Sequence, residues 1–274
     1  MSRPFLKMNG AGNDFVVVEA RSQPFAPTVE EARAIAARDG GIGCDQLIAI
    51  EPSATADAFM RIWNADGGQV EACGNATRCV AWLTMQASGR EAVTIETVAG
   101  TLSATRAGET LISVDMGEPR LRWDQIPLEN EMDTRNIELQ VGPIDDPHLH
   151  TPGAVNMGNP HVVFFVDDAE TAPVREAGSL IEHHPLFPEG VNVGFAQIKS
   201  RDRIRLRVWE RGAGLTRACG TGACAALVAA HRRGFVNRKA TLEMDGGELV
   251  IEWRESDNHV IMTGPVEVEF AGRL

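Results

Sequence analysis

The chain lacks any apolar run near the roughly 20 residues that span a bilayer as a helix, so a membrane span is not expected. It also lacks an excess of positive charge. The formal net charge is −12, and the Lys and Arg residues are scattered, which argues against a nucleic-acid or anionic-membrane partner. The opening stretch MSRPFLKMNGAGNDF is broken by polar residues and glycines before an apolar core forms. It does not read as a signal peptide, and a cytoplasmic location is expected. Five cysteines, an odd number, do not suit a disulfide framework. The pair Cys73/Cys79 is too widely spaced for a zinc knuckle, Cys219/Cys224 fits that spacing only at its loose end, and both Cys79 and Cys224 lie within apolar helical patterns. No metal site is expected, and Cys44, Cys79 and Cys224 read as small buried apolar residues. No motif implies a cofactor.

What the chain does have is a repeat. The stretch RIWNADGGQVEACGNATRC, from Arg61 to Cys79, recurs 146 residues later as RVWERGAGLTRACGTGAC. Arg61 falls on Arg207, Trp63 on Trp209, and Ala72-Cys73-Gly74 on Ala218-Cys219-Gly220. The same offset lays Gly12-Asn13-Asp14-Phe15 over Gly158-Asn159-Pro160-His161, and Gln46 over Asn192. A length of 274 residues accommodates two cored domains. Two related halves follow, each contributing one cysteine.

Strands are expected at residues 5–8 and 15–18, flanking the turn NGAGND, whose glycines permit positive φ. Asn13 then sits at a strand end, where its amide either caps its own turn or reaches a ligand; the copy at Asn159 favours the ligand. Thr28-Val29-Glu30-Glu31 is a capping-box signature for a helix ending at Gly40-Gly41. Apolar strands follow at LIAI and at residues 57–63, placing Gln46 and Asn64 at strand ends. Cys79, Val80 and Leu83 at helical spacing set Cys73 at the start of a helix that stops near Gly89. A thiol there meets unpaired backbone N–H groups and the positive end of the helix dipole, and the same groups can hold a carboxylate. Three glycine-cut strands are expected between 92 and 116, a crossover from Gly117 to Gln125, and a strand at IELQV.

In the second half His161 replaces Phe15, either as a structural residue or as one that tunes a neighbouring thiol. A helix is expected over 174–183, with His183 and His184 at its end. The strand 204–209 delivers Glu210 and Arg211 where the first half has Asn64 and Ala65. Arg211 offers a planar guanidinium suited to a carboxylate. The Ala-rich segment after Cys219 reads as a buried central helix, and the tail as strands around the Asp-Gly-Gly hairpin at 245–247.

Two matched helix-start thiols suit inversion at a carbon. One thiolate removes the α-proton and the opposed thiol supplies another from the far face. The motifs GAGNDFVVVE, GIGCDQL, WNADG, ACGN with RC, NMGNPH, VNVGF, ERGAG and ACGTGACAA, spread along the chain, together resemble the diaminopimelate epimerase family. The resemblance implies an α/β (α+β) fold of two pseudo-symmetric domains, each a barrel-like strand layer around a central helix. The expected halves are 1–117, with 264–274 returning to it, and 118–263. It implies a cofactor-independent isomerase of LL- and meso-2,6-diaminopimelate, a small di-amino di-acid, that works as a homodimer. Carried over by position, Cys73 and Cys219 are the acid/base pair. Asn13, Gln46, Asn64, Gly74, Asn75, Asn159, Asn192, Glu210, Arg211, Gly220 and Thr221 contact substrate, and His161 and Glu210 adjoin the thiols. Ala76 stands where the family more often has Gly, and Leu215 where it has Glu. The rivals are a racemase of another amino acid on the same scaffold, and a single-cysteine isomerase or non-catalytic binder.

Overall fold

The computed structural model describes residues 3–143 and 145–274. The chain forms two compact units, one of residues up to Asp115 together with Thr263–Leu274, the other Met116–Met262.

The first unit opens with β1 (Pro4–Gly10) and β2 (Asn13–Glu19), an antiparallel pair joined by a turn in which Gly12 adopts φ +95°. Helix α1 (Val29–Ala36) begins at the expected capping box: the Glu31 amide donates to Thr28 Oγ1, and the Thr28 amide to Glu31 Oε2. Then come β3 (Gln46–Glu51), β4 (Ala58–Asn64), β5 (Gln69–Val70) and α2 (Gly74–Ser88). Gly89 ends α2 in the left-handed conformation, with its amide bonded to the Met85 carbonyl. Strands β6 (Ala92–Thr97), β7 (Gly100–Arg106) and β8 (Leu111–Asp115) complete the run. β2 pairs parallel with β3, β3 antiparallel with β4, and β4 parallel with β6. α1 packs on β3 and β4, whereas α2 contacts β1, β2, β4, β6, β7 and β8 and is therefore the element the strands enclose.

The second unit begins with irregular chain containing a 3-10 turn at Trp123–Gln125. The expected strand at IELQV shortens to β9 (Gln140–Val141), paired with β10 (Leu149–His150). Ile126, Leu128, Ile137, Leu139 and Leu149 are buried in the core of this unit, so the segment caps apolar surface with little regular structure. Next are β11 (Gly153–Asn156), β12 (Pro160–Phe165), α3 (Val174–Glu182), β13 (Asn192–Ser200), β14 (Arg203–Glu210), β15 (Gly214–Thr216) and α4 (Gly220–Arg232). β16 (Lys239–Met244) and β17 (Gly247–Trp253) form the expected hairpin, and β18 (Val260–Pro265) follows. α4 is buried without interruption from Gly222 to Ala230 and contacts β11–β14, β16 and β17. Small side chains on every face allow strands to pack all round it. The last strand, β19 (Glu267–Arg273), returns to pair antiparallel with β1 in the first unit.

The 146-residue offset holds in the register as well as in the sequence. Phe15 pairs with Gln46 as His161 pairs with Asn192; Leu47 faces Trp63 as Val193 faces Trp209; Trp63 faces Gln69 as Trp209 faces Leu215. Beyond the helices the offset drifts: Ile95 pairs with Ala58, but Thr241 pairs with Arg203. The correspondence is tightest in the elements that lead to the two cysteines.

Candidate active site

In each unit the parallel start of two strands, the end of the antiparallel third and a helix N-terminus meet at one edge. This topology gathers residues that are distant in sequence. In the first unit they are Asn13, Gln46, Asn64 and Cys73 with Gly74-Asn75.

Cys73 is the N-cap of α2, in extended conformation, and its carbonyl accepts the amide of Thr77. The N–H groups of the first helical turn have no intrahelical acceptor and point toward the helix start. Around them runs a chain of amides. Arg78 Nη1 donates to Asn75 Oδ1 at 2.8 Å, and Asn75 Nδ2 to Asn13 Oδ1 at 2.5 Å. Asn13 Nδ2 in turn donates to Asp45 Oδ2 at 3.2 Å. Asn9 Oδ1 caps the turn by accepting the Gly12 amide, so Asn13 is spared that task. Gln46 Nε2 donates to Asn64 Oδ1 at 3.0 Å, and Gln46 Oε1 is buried with no hydrogen-bond partner among the described residues. A buried carbonyl oxygen left unsatisfied calls for a donor from outside the protein.

Behind the Asn13 turn lies a charge network that the sequence reading passed over. Lys7, only 4% exposed, bonds Asp14 and the Gly43 carbonyl, and Arg38 bridges Asp14 and Asp45. Burial opposes ionisation of Asp14, but Arg38 and Lys7 outweigh it and hold the carboxyl well below its ordinary range. Arg78, fully buried on α2, was missed too. Its signal was a charged residue inside the apolar stripe of a helix, as Lys7 is inside an apolar strand.

In the second unit Cys219 is the N-cap of α4, and its sulfur accepts the Gly222 amide at 3.4 Å. The thiol donates to Glu210 Oε2 at 3.2 Å and lies 3.7 Å from Thr221 Oγ1. Thr216 Oγ1 donates to the other oxygen of Glu210 at 2.5 Å. Burial, followed by the Glu210 charge and hydrogen bond, pushes the Cys219 thiol well up, so its resting form is the protonated thiol. The corresponding residues near Cys73 are Asn64, Asn75 and Ala76 in place of Glu210, Thr221 and Gly222, so the two environments differ in charge. Cys44 and Cys79 are buried and pushed up to about 11 and about 12 by desolvation, which leaves them inert.

Gly158 repeats the left-handed turn of Gly12 at φ +99°. His161 Nε2 donates to Asn159 Oδ1 at 2.9 Å. Burial, with the nearby Arg211 charge, pushes His161 down to about 3, so it stays neutral at working pH. Asn192 is 3% exposed: its Nδ2 donates to the Pro160 carbonyl, and its Oδ1 accepts the Arg211 amide at 3.0 Å. Asn192 thus braces the Arg211 turn, and only its second N–H remains for a ligand. Arg211 is exposed and donates from Nη1 to the Glu189 carbonyl at 2.6 Å. Among the described residues its guanidinium forms no ion pair.

The pattern described as "Diaminopimelate epimerase" matches residues 5–122 and 153–269. A diaminopimelate epimerase of Phenylobacterium zucineum is 66% identical over 274 residues, covering 100% of this chain and 98% of that one. One of Caulobacter sp. (strain K31) is 64% identical over 287 residues with the same coverage. Among solved structures, a phenazine biosynthesis protein of the PhzF family from Enterococcus faecalis superposes with a TM-score of 0.71 at 16% identity, covering 100% and 99% of the two chains. A hydroxyproline epimerase from Agrobacterium vitis, with bound trans-4-OH-L-proline, gives 0.68 at 17%, covering 100% and 91%. These two likenesses concern the fold. The full-length identity to the curated relatives carries the assignment: the chain belongs to the diaminopimelate epimerase family.

Proposed function

We propose that the chain is a diaminopimelate epimerase, interconverting LL- and meso-2,6-diaminopimelate in lysine and peptidoglycan precursor biosynthesis. The observation that carries this is the full-length identity of 66% to a diaminopimelate epimerase, together with a cysteine at the N-cap of a helix in each unit.

The mechanism we propose uses the two thiols as a base and an acid. One, as thiolate, takes the proton from the α-carbon and becomes a thiol. The other, as thiol, gives its proton to the opposite face and becomes a thiolate. The chemistry requires the two sulfurs to approach one carbon from opposite sides. The reverse reaction exchanges their roles. Negative charge that develops on the α-carboxylate is met by the N–H groups opening α2 and α4, at Gly74-Asn75 and Gly220-Thr221, and by the helix dipoles. With Cys219 resting as a thiol beside Glu210, Cys219 supplies the proton first to the isomer that Cys73 deprotonates.

Arg211, whose guanidinium forms no ion pair among the described residues, reads the distal carboxylate of the substrate, and Asn13, Gln46, Asn64, Asn159 and Asn192 supply the amides around its polar ends. His161 acts as a neutral group that orients Asn159. The enzyme works in the cytoplasm as a homodimer. No helix of the described residues is long and apolar enough to cross a membrane.

Chiral chromatography of LL-diaminopimelate incubated with the reduced protein tests the assignment. Wild type forms the meso isomer, and Cys73→Ala and Cys219→Ala each lose at least a thousandfold in kcat, in keeping with the 10²–10⁴-fold a general acid or base contributes. A wild-type protein that leaves LL-diaminopimelate unchanged but racemises proline would support the rival assignment.

A further inference from the structure

We infer that Glu182 is a positioning residue for substrate recognition: its carboxylate clamps the turn that carries Glu210 and Arg211, and thereby sets where Arg211 meets the distal carboxylate. Glu182 is the last residue of α3 and 6% exposed. Oε2 accepts the indole N–H of Trp209 at 2.7 Å, and Oε1 accepts the backbone N–H of Gly212 at 2.8 Å. The two donors stand immediately before and immediately after Glu210-Arg211. One buried carboxylate therefore grips both ends of the pair.

The surrounding packing fits this task. The Val191 amide donates to the Glu182 carbonyl at 3.2 Å, tying the helix end to the segment that leads into β13. A methyl at Gly178 would lie 2.5 Å from Trp209 Cβ, so α3 sits directly on the tryptophan. Gly190, at φ +71°, lets the Arg211 stem pass: a Cβ there would lie 3.0 Å from Arg211 Cδ. Glu182 accepts backbone and indole protons, lies 3.7 Å from the exposed His183 Nε2, and makes no direct ion pair with the guanidinium, whose charge acts on it only at longer range, so the guanidinium stays available to a ligand. A charged acceptor makes stronger bonds than a neutral one, which suits a turn that must not drift.

The first unit lacks the device. Under the repeat, Glu182 corresponds to Ala36, Arg211 to Ala65 and Gly212 to Asp66, while the tryptophan is kept as Trp63, which packs edge-on against Phe25. The clamp occurs in the half whose strand end carries Glu and Arg, and is absent where it carries Asn and Ala. A merely structural carboxylate would have no reason to follow that difference.

This inference rests on the proposed epimerase function. The test is steady-state kinetics with LL-diaminopimelate on Glu182→Gln, Arg211→Gln and the double variant. Gln keeps the shape but has one acceptor oxygen, and its NH₂ faces a second donor. KM for Glu182→Gln is expected to rise at least tenfold while kcat falls less than threefold, because Thr216 and Cys219 hold the Glu210 carboxylate independently of the clamp. The double variant should match Arg211→Gln within twofold, because a residue acting through Arg211 has nothing left to position. An unchanged KM, or effects that multiply in the double variant, overturns the clamp. Should Glu182→Gln fail to fold by circular dichroism, Trp209→Phe removes the Oε2 donor and keeps the Gly212 bond; it is expected to raise KM about threefold, and an unchanged KM there overturns the clamp equally. A wild-type protein inactive on LL-diaminopimelate would instead defeat the epimerase assignment, and is told apart by that control.

Discussion

Gly222→Ala isolates the packing that fixes the Cys219 sulfur. A methyl at Gly222 would lie 3.1 Å from Cys219 Sγ, 3.2 Å from its Cβ and 3.2 Å from Val208 Cγ2. Carbon contacts relax near 3.5–4.0 Å, so the sulfur or the valine must yield by roughly half an ångström. The sulfur also accepts the Gly222 amide, so its shift distorts that bond. A displacement of about 1 Å from reacting geometry costs on the order of a hundredfold, which makes half of that about tenfold in kcat, or about 1.4 kcal/mol. Overpacking of about 1–3 kcal/mol is partly offset by about 1 kcal/mol of helix propensity, so Tm should fall by no more than about 8 °C. The repeat supplies the control. Position 222 corresponds to Ala76, where the first unit already holds a buried methyl. Ala76→Gly should cost about 1 kcal/mol of stability and leave kcat within twofold. The assays are turnover of LL-diaminopimelate, thermal melts and the rate of iodoacetamide inactivation. Wild-type kcat and wild-type thiol reactivity in Gly222→Ala would refute the claim that the first turn of α4 positions the sulfur.

Glu210→Gln removes the charge that, after burial, most raises the Cys219 thiol. In a Cys73→Ala background, alkylation of Cys219 should then begin at lower pH than with Glu210 present, while turnover in the otherwise wild-type chain falls at least tenfold. His161 is pushed down to about 3 by burial, so the unfolded chain takes up its proton first as pH falls below about 6.5. That contribution to stability is complete above pH 6.5 and is lost progressively toward pH 3, at up to about 1.4 kcal/mol per pH unit. His161→Phe, which installs the residue of the equivalent position Phe15, should gain about 2 kcal/mol on wild type between pH 7 and pH 5 in denaturant titrations.

The candidate half-sites were legible because the chain states them twice. The offset that aligned Cys73 with Cys219 also aligned Gln46 with Asn192 and the strand registers behind them. The capping box at Thr28, the left-handed stop at Gly89 and the all-round burial of α4 follow from local chemistry, and each lies where its residues indicated. Three features were not legible. IELQV has strand composition, yet Ile137 and Leu139 are buried by the core of their unit without a ladder along most of the segment. Lys7 and Arg78 are charged residues in apolar patterns, and only tertiary structure shows which carboxylate or amide each one meets. Glu182 lies at the end of an amphipathic helix, where a surface carboxylate is the ordinary expectation; its buried place depends on Trp209 and Gly212, 27 and 30 residues away.

The central claim, one proton removed by one thiol and another supplied by the second, is tested most directly by mass spectrometry of the first few per cent of turnover in D₂O. Two monoprotic thiols predict meso product with one deuterium at the inverted α-carbon and recovered LL substrate still unlabelled, because the abstracting thiol returns its own hydrogen to the face it came from. Meso product that retains hydrogen at that carbon would contradict the account, since it would show a single group carrying the same proton from one face to the other.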